Sequence, residues 1–243
     1  MPNLSVQHDV KISAQSTTNW TGARDATSGT VSSTVTRDFL GLGAAHTAGR
    51  GGGTLARAFR YFFRFDTSGI GVTPANATLK IRGYGSNSGD LIAVKSTQGD
   101  TPGTGDFDAI TGWTSGADNA GNVTIYSVGD GSGQAGEITT WSTSGFNDIT
   151  LNSTALSDMA SLSNFKLCLL NFDYDLKNVD PYAGSHYNGL YLSEWSDSAF
   201  HPYIEYTAGA SGYGQDVIGV ATANIEKVIG VATGDIEKVI GVD

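Results

Sequence analysis

Cysteine is almost absent from this chain: Cys168 is the single one in 243 residues. No disulfide framework can form, so stability does not depend on an oxidising compartment. Cys168 lies inside the apolar run FKLCLLNF (Phe165 to Phe172). A small buried core residue fits there, and a nucleophile or metal ligand does not. Charge is scarce too, at 16% of residues, with only five Glu and seven Lys. The straight-chain helix formers are therefore few, while Gly (33 residues), Ser and Thr are abundant, which excludes a helix bundle and favours short strands with many turns. No window approaches the roughly 18 apolar residues of a membrane span. The opening MPNLSVQHDVKIS carries no basic segment followed by an apolar stretch, so no signal peptide is expected. G-x-S-x-G, P-loop, H-E-x-x-H and C-x-x-C motifs are all missing, and the Gly-rich runs at 49–53 and 129–133 fail the G-x-G-x-x-G spacing. No pair of carboxylates suits glycoside hydrolysis. The expectation is a chain that is not an enzyme.

What charge there is, is unevenly placed. The net charge is −10, yet all seven Arg precede Gly83. Residues 1–82 hold seven Arg and two Lys against four Asp, or +5; residues 83–243 hold five Lys against twenty acids, or −15. An acidic total argues against nucleic acid as the main partner. The asymmetry suits either a mildly basic sheet beside an acidic surface or a head-to-tail contact between neighbouring subunits.

Along the chain, alternating or apolar segments mark strands at 4–13, 39–42, 56–66, 77–82, 91–95, 123–126, 137–141, 146–151, 165–172, 189–194 and 202–207. The segment 56–66 mixes aromatic residues with Arg57, Arg60 and Arg64, which predicts a half-buried strand. Residues 15–35, 43–54 and 171–187 read as loops, the second of them Gly-rich. STALSDMAS (Ser153 to Ser161) is the one helical candidate, capped by Ser153 or Thr154. The reading is all-β, a β-sandwich over residues 1–208, a Gly-rich joint at 209–215 and a repeat tail at 216–243.

The tail is the strongest single signal. After Asp216, VIGV (217–220) is followed by ATANIEKVIGV (221–231) and ATGDIEKVIGV (232–242), an eleven-residue period. Such repeats bury their apolar face by stacking on copies of themselves. Val217, Ile218, Val220, Ile225, Val228, Ile229, Val231, Ile236, Val239, Ile240 and Val242 are the expected assembly interface. Eleven residues also suit three turns of a right-handed helical coil. Val, Ile, Thr and a Gly in every unit favour strand over helix.

Chemistry-bearing groups are sparse. Asp173, Asp175 and Asp180 in NFDYDLKNVD form a weak calcium candidate, with a solvated acidic loop as the plainer alternative. No other metal or cofactor is expected. His8, His46, His186 and His201 read as isolated surface or structural residues. Trp20, Trp113, Trp141 and Trp195 fall in or beside loops, where they can stack on a glycan or anchor the loop.

FRYFFRFDTSGI (Phe59 to Ile70), ATLKI (Ala77 to Ile81) and SEWSDSAFHPYIEYT (Ser193 to Thr207) resemble the strand signatures of DNRLRE-type, carbohydrate-binding-module-like β-sandwiches. His201 stands where that family favours Arg. The resemblance implies a jelly-roll fold and says little about function. The tail resembles the A-x-I-x-K-V-x-G-V repeats that end some marine phage fibre and appendage proteins. Together these imply a structural virion protein, made in the host cytoplasm and assembled through its tail. It would form a homo-oligomer, trimer or filament, in contact with other virion proteins and not with a membrane. Alternatives are a glycan-binding adhesin module and a subunit of a cellular extracellular filament, both at the cell surface.

Overall fold

The computed structural model describes residues 1–32, 37–48, 54–182, 184–210, 227–228 and 231–232. Ten strands form a continuous antiparallel network: β1 (Asn3–Ser16), β2 (Thr30–Ser32), β3 (Arg37–Ala48), β4 (Thr54–Asp66), β5 (Asn76–Asn87), β6 (Leu91–Lys95), β7 (Phe146–Thr150), β8 (Asn164–Asn171), β9 (Ser185–Tyr191) and β10 (Tyr203–Thr207). Among the described residues, helix is confined to α1 (Trp20–Arg24), α2 (Ser153–Ser161) and isolated single turns. The fold is all-β and sandwich-like.

β4 is the axis. β1 pairs along one edge, from Val6↔Phe65 to Ser16↔Ala56. On the other edge β3 takes the first half (Gly43↔Phe59) and β8 the second (Tyr61↔Leu169). β6 continues the layer beyond β8. A second layer is made by β7, the first half of β5, β10 and the start of β1. β1 and β5 each cross between layers: Asn3 to Ser5 pair with β10 before the strand joins β4, and Gly83 to Asn87 leave β10 for β9. The ladders β1–β4–β3–β9–β5–β10–β1 therefore close on themselves, which leaves few free edges.

Successive side chains of a strand point to opposite faces, and β4 buries both. Tyr61, Phe63 and Phe65 meet Leu167, Leu169, Leu91, Leu79, Ile81 and Ile204 in the core between the layers. Ala56, Ala58 and Phe62 meet Cys168, Leu170, Ile92 and Val94 in a second core on the far side. This second core is roofed by Trp20 and Ala23 of α1, by Phe107, Ile110 and Ala120, and by Phe172 and Leu176. The half-burial expected for 56–66 is thereby corrected, since the central layer is covered twice. The continuous apolar run of β8 does become such a central strand, with Cys168 fully buried. Burial pushes its thiol pKa up, so it stays protonated and inert.

Other expectations shift for identifiable reasons. Residues 43–48 are strand, not loop: Gly43 lies so close to β9 that a Cβ would meet the His186 carbonyl oxygen at 2.1 Å. Glycine there permits close strand approach. The segment 15–35 contains α1, whose N-cap Asn19 accepts from the Gly22 N–H at 2.8 Å. Residues 123–126 and 137–141 make only single bridges, Val94↔Ile125 and Leu91↔Ile138. α2 forms as expected, but its cap is Asn152, which accepts from Ala155 N at 3.0 Å.

Candidate functional site

Of the expected assembly residues, Val228 and Val231 are described; Val217, Ile218, Val220, Ile225, Ile229, Ile236, Val239, Ile240 and Val242 lie outside the described residues. β11 (Lys227–Val228) pairs antiparallel with β12 (Val231–Ala232), in register Lys227↔Ala232 and Val228↔Val231. Where the repeat is described it is strand. Among the described residues these strands form a two-stranded sheet of their own, joined to no strand of the sandwich.

Within the sandwich, three polar constellations stand out. The first is buried. Arg60 reaches Asp175 through two hydrogen bonds (Nε to Oδ2, 2.8 Å; Nη2 to Oδ1, 2.7 Å), with both side chains fully buried. It also donates to the Phe107 and Arg24 carbonyls at 2.8 and 2.9 Å. Arg24, equally buried, donates to the carbonyls of Asp175 (2.6 Å), Ala117 (3.2 Å) and Leu176 (3.4 Å) and to Asp25 Oδ1 (2.5 Å). The Arg60 guanidinium carbon sits 4.1 Å from the centre of the Phe107 ring and 4.0 Å from that of Trp113. Burial lowers the pKa of Arg24, and the Asp175 and Asp25 carboxylates act against that. Every charge is matched, so the network holds loops to the sheet.

The second is acidic. Asp90, Glu137 and Asp173 place one carboxylate oxygen each within 4.8 Å of one another, Glu137 being buried. They come from the start of β6, a loop and the turn after β8. Burial, then the charge and hydrogen bond of Asp173, then Glu137 and Asp130, push the Asp90 pKa up to about 6. At neighbouring Asp130 burial acts upward too, but donors from Ser132, Thr139 and Thr140 outweigh it and hold the carboxyl down at about 2. Lys177 Nζ meets Asp173 at 2.9 Å. Carboxylates this close make a second negative charge at Asp90 costly, and three oxygens at this spacing also suit a hard divalent cation.

This arrangement corrects the calcium candidate read from the sequence. Asp173 belongs to the acidic trio. Asp175 is the buried partner of Arg60, and Asp180 faces His46, with Nδ1 and Oδ1 2.6 Å apart. The three do not converge. Nor is His46 isolated: it is buried, tied to Asp180, and edge-on to the exposed Tyr182 ring at 6.0 Å. Sequence spacing carries no signal for Asp90 and Glu137, because 47 and 36 positions separate the consecutive members of the trio.

The third is aromatic. Tyr191 takes Trp195, Phe200 and Tyr84 edge-on, at centroid distances of 5.0, 5.0 and 5.7 Å. The Arg82 guanidinium lies 4.5 Å from the Phe200 ring centre. All five residues are half-buried. Of the four tryptophans able by sequence either to stack on a glycan or to anchor a loop, only Trp195 belongs here. Trp20 is 2% exposed, which removes it as a stacking surface. Trp113 lies against both buried guanidinium groups, at 4.5 Å from Arg24 and 4.0 Å from Arg60. Trp141 packs beside the inner core and donates its indole N–H to the Gly189 carbonyl at 3.1 Å. Three of the four are loop anchors.

Among the described residues no helix is long and apolar enough to cross a membrane. Neither a protein-family model nor a curated protein matches the sequence.

Proposed function

We propose that this chain is a non-enzymatic structural protein of a virion, a fibre, appendage or capsid-surface component, whose sandwich is the displayed module and whose repeat tail joins copies together. The observation that carries the reading is the tail hairpin, which among the described residues pairs with no strand of the sandwich. An isolated two-stranded hairpin is marginal in water and needs a further strand, sheet or face to be stable. The repeat supplies identical apolar units in series, which suits pairing between chains better than packing on one sandwich. The low cysteine content and the Gly/Ser/Thr-rich surface type of composition agree with a protein that acts outside a cell without disulfides. Removing residues 212–243 tests it. The truncated protein is expected to be a folded monomer by light scattering, while the full chain forms trimers or filaments visible by electron microscopy. Assembly by the truncated form refutes the proposal.

A second reading, glycan binding, is favoured by the Tyr191–Trp195–Phe200–Arg82 cluster. Half-exposed rings beside a guanidinium group offer a sugar both a stacking face and hydrogen-bond donors. A glycan array separates the two: signals lost in Trp195→Ala support binding, and a blank array leaves the assembly role alone.

A further inference from the structure

The face of β4 that carries Tyr61, Phe63 and Phe65 into the inner core continues beyond it. Directly opposed residues share a face, so the pairs Lys11↔Tyr61, Ser13↔Phe59 and Gln15↔Arg57 place Lys11, Ser13, Gln15, Phe59 and Arg57 together. Phe59 is buried yet belongs to neither core. Here a groove of about 230 Å³ opens, lined by Ser13, Ala14, Gln15, Thr30, Arg57 and Phe59. Its floor is an aromatic ring with the Lys11 ammonium 5.5 Å from its centre. Its wall is Arg57, which has no ion pair or side-chain hydrogen bond among the described residues. One rim is β2, which among the described residues pairs with β1 alone.

We propose that this groove receives the repeat segment of a neighbouring copy, laid over the face of β1 and β2 with a repeat Glu reaching Arg57. The inference rests on the assembly role given above and identifies the surface that the tail meets. Charge selects the occupant. The groove lies in the +5 half of the chain, while residues 212–243 hold five acids (Asp216, Glu226, Asp235, Glu237, Asp243) against Lys227 and Lys238, or −3. Alternate residues of an extended segment share a face, so each full repeat presents a Glu and a Val together, Glu226 with Val228 and Glu237 with Val239. Conformation agrees, since the described part of the repeat is strand. Reach agrees as well: 33 residues follow Ala210, and at about 3.3 Å per extended residue they span roughly 100 Å, beyond the edge of their own sandwich.

Charge exchange between two full-length variants tests the contact. Arg57→Glu alone, and Glu226→Lys/Glu237→Lys alone, are each expected to weaken self-association by about tenfold or more, because like charges then meet in the groove. Mixed at equal concentration, the two should co-assemble near the wild-type concentration, since each tail now finds a groove of opposite sign on the other chain. Unchanged thermal unfolding of Arg57→Glu confirms that its sandwich is intact; Arg57→Gln, which removes the charge without reversing it, serves if that variant misfolds. Loss of association in both single variants with no recovery on mixing overturns the proposal. Wild-type association in both variants overturns it too. If truncation at residue 212 still abolishes assembly in that case, the assembly role stands and only the groove is wrong.

Discussion

The two faces of the β4 layer are covered by different materials, and they use different chemistry. The inner face meets a second sheet. There the contacts are hydrocarbon and aromatic: Phe63, Phe65, Leu167 and Leu169 against Leu79, Ile81 and Ile204. The outer face meets α1, the 104–125 loop and the turn at 172–176, and at its centre lie Arg24, Arg60 and Asp175, fully buried. The reason is backbone satisfaction. Strands consume each other's N–H and C=O groups in ladders, whereas loops packed on a sheet leave carbonyls with no partner. The two guanidinium groups supply it, donating to the carbonyls of Phe107, Arg24, Asp175, Leu176 and Ala117. A loop roof over a sheet needs buried donors; a sheet roof does not.

The largest test of this contrast is Arg60→Met. It strands the Asp175 carboxylate and two loop carbonyls together, and should cost about 3–5 kcal/mol in denaturant unfolding. Adding Asp175→Leu removes the stranded charge. If Arg60 acted only as an ion-pair partner, the double variant would return to near wild-type stability. With the carbonyls of Phe107 and Arg24 still orphaned, it should remain about 1–3 kcal/mol below it.

Conservative swaps sharpen the same comparison at smaller cost. Leu167→Met on the sheet-covered face should lose less than about 1.5 kcal/mol, since volume and polarity are kept. Arg60→Lys keeps the charge but not the planar fork that binds Asp175 and two carbonyls at once. It should lose more than Leu167→Met, measured side by side; equal losses would remove the distinction between the faces.

The smallest effect lies at the margin of the outer face. Asp90 has its pKa raised from 3.8 to about 6 in the folded chain. A group raised on folding contributes stability that is complete below its unfolded pKa and lost as pH rises through the folded one. Thermal stability should therefore decline between about pH 4 and pH 6, and Asp90→Asn should flatten that decline. The amplitude is modest because the carboxyl is only partly buried and solvent screens it.

Much of this architecture is legible in the residues. The FRYFFRFD strand, the apolar run around Cys168 and the α2 pattern all follow from local periodicity, and so does the all-β class. Legibility fails where the cause is distant. Gly43 belongs to a strand because β9 passes too close for a side chain, and composition alone suggests a loop. Trp20 and Trp113 sit in segments that look like exposed loops, yet Arg24 and Arg60 draw those segments onto the sheet. The acidic trio joins three segments far apart in sequence.

Sequence by itself determined the class of fold, the inertness of the lone thiol and the eleven-residue period, because each depends on residues that are neighbours in the chain. Tertiary structure alone decided that β4 would be buried twice, that three of four tryptophans would serve as anchors, and which carboxylates would meet. Those outcomes depend on which segments cover which face. That is set by ladder closure and by the need of every buried carbonyl for a donor, and no stretch of sequence records it locally.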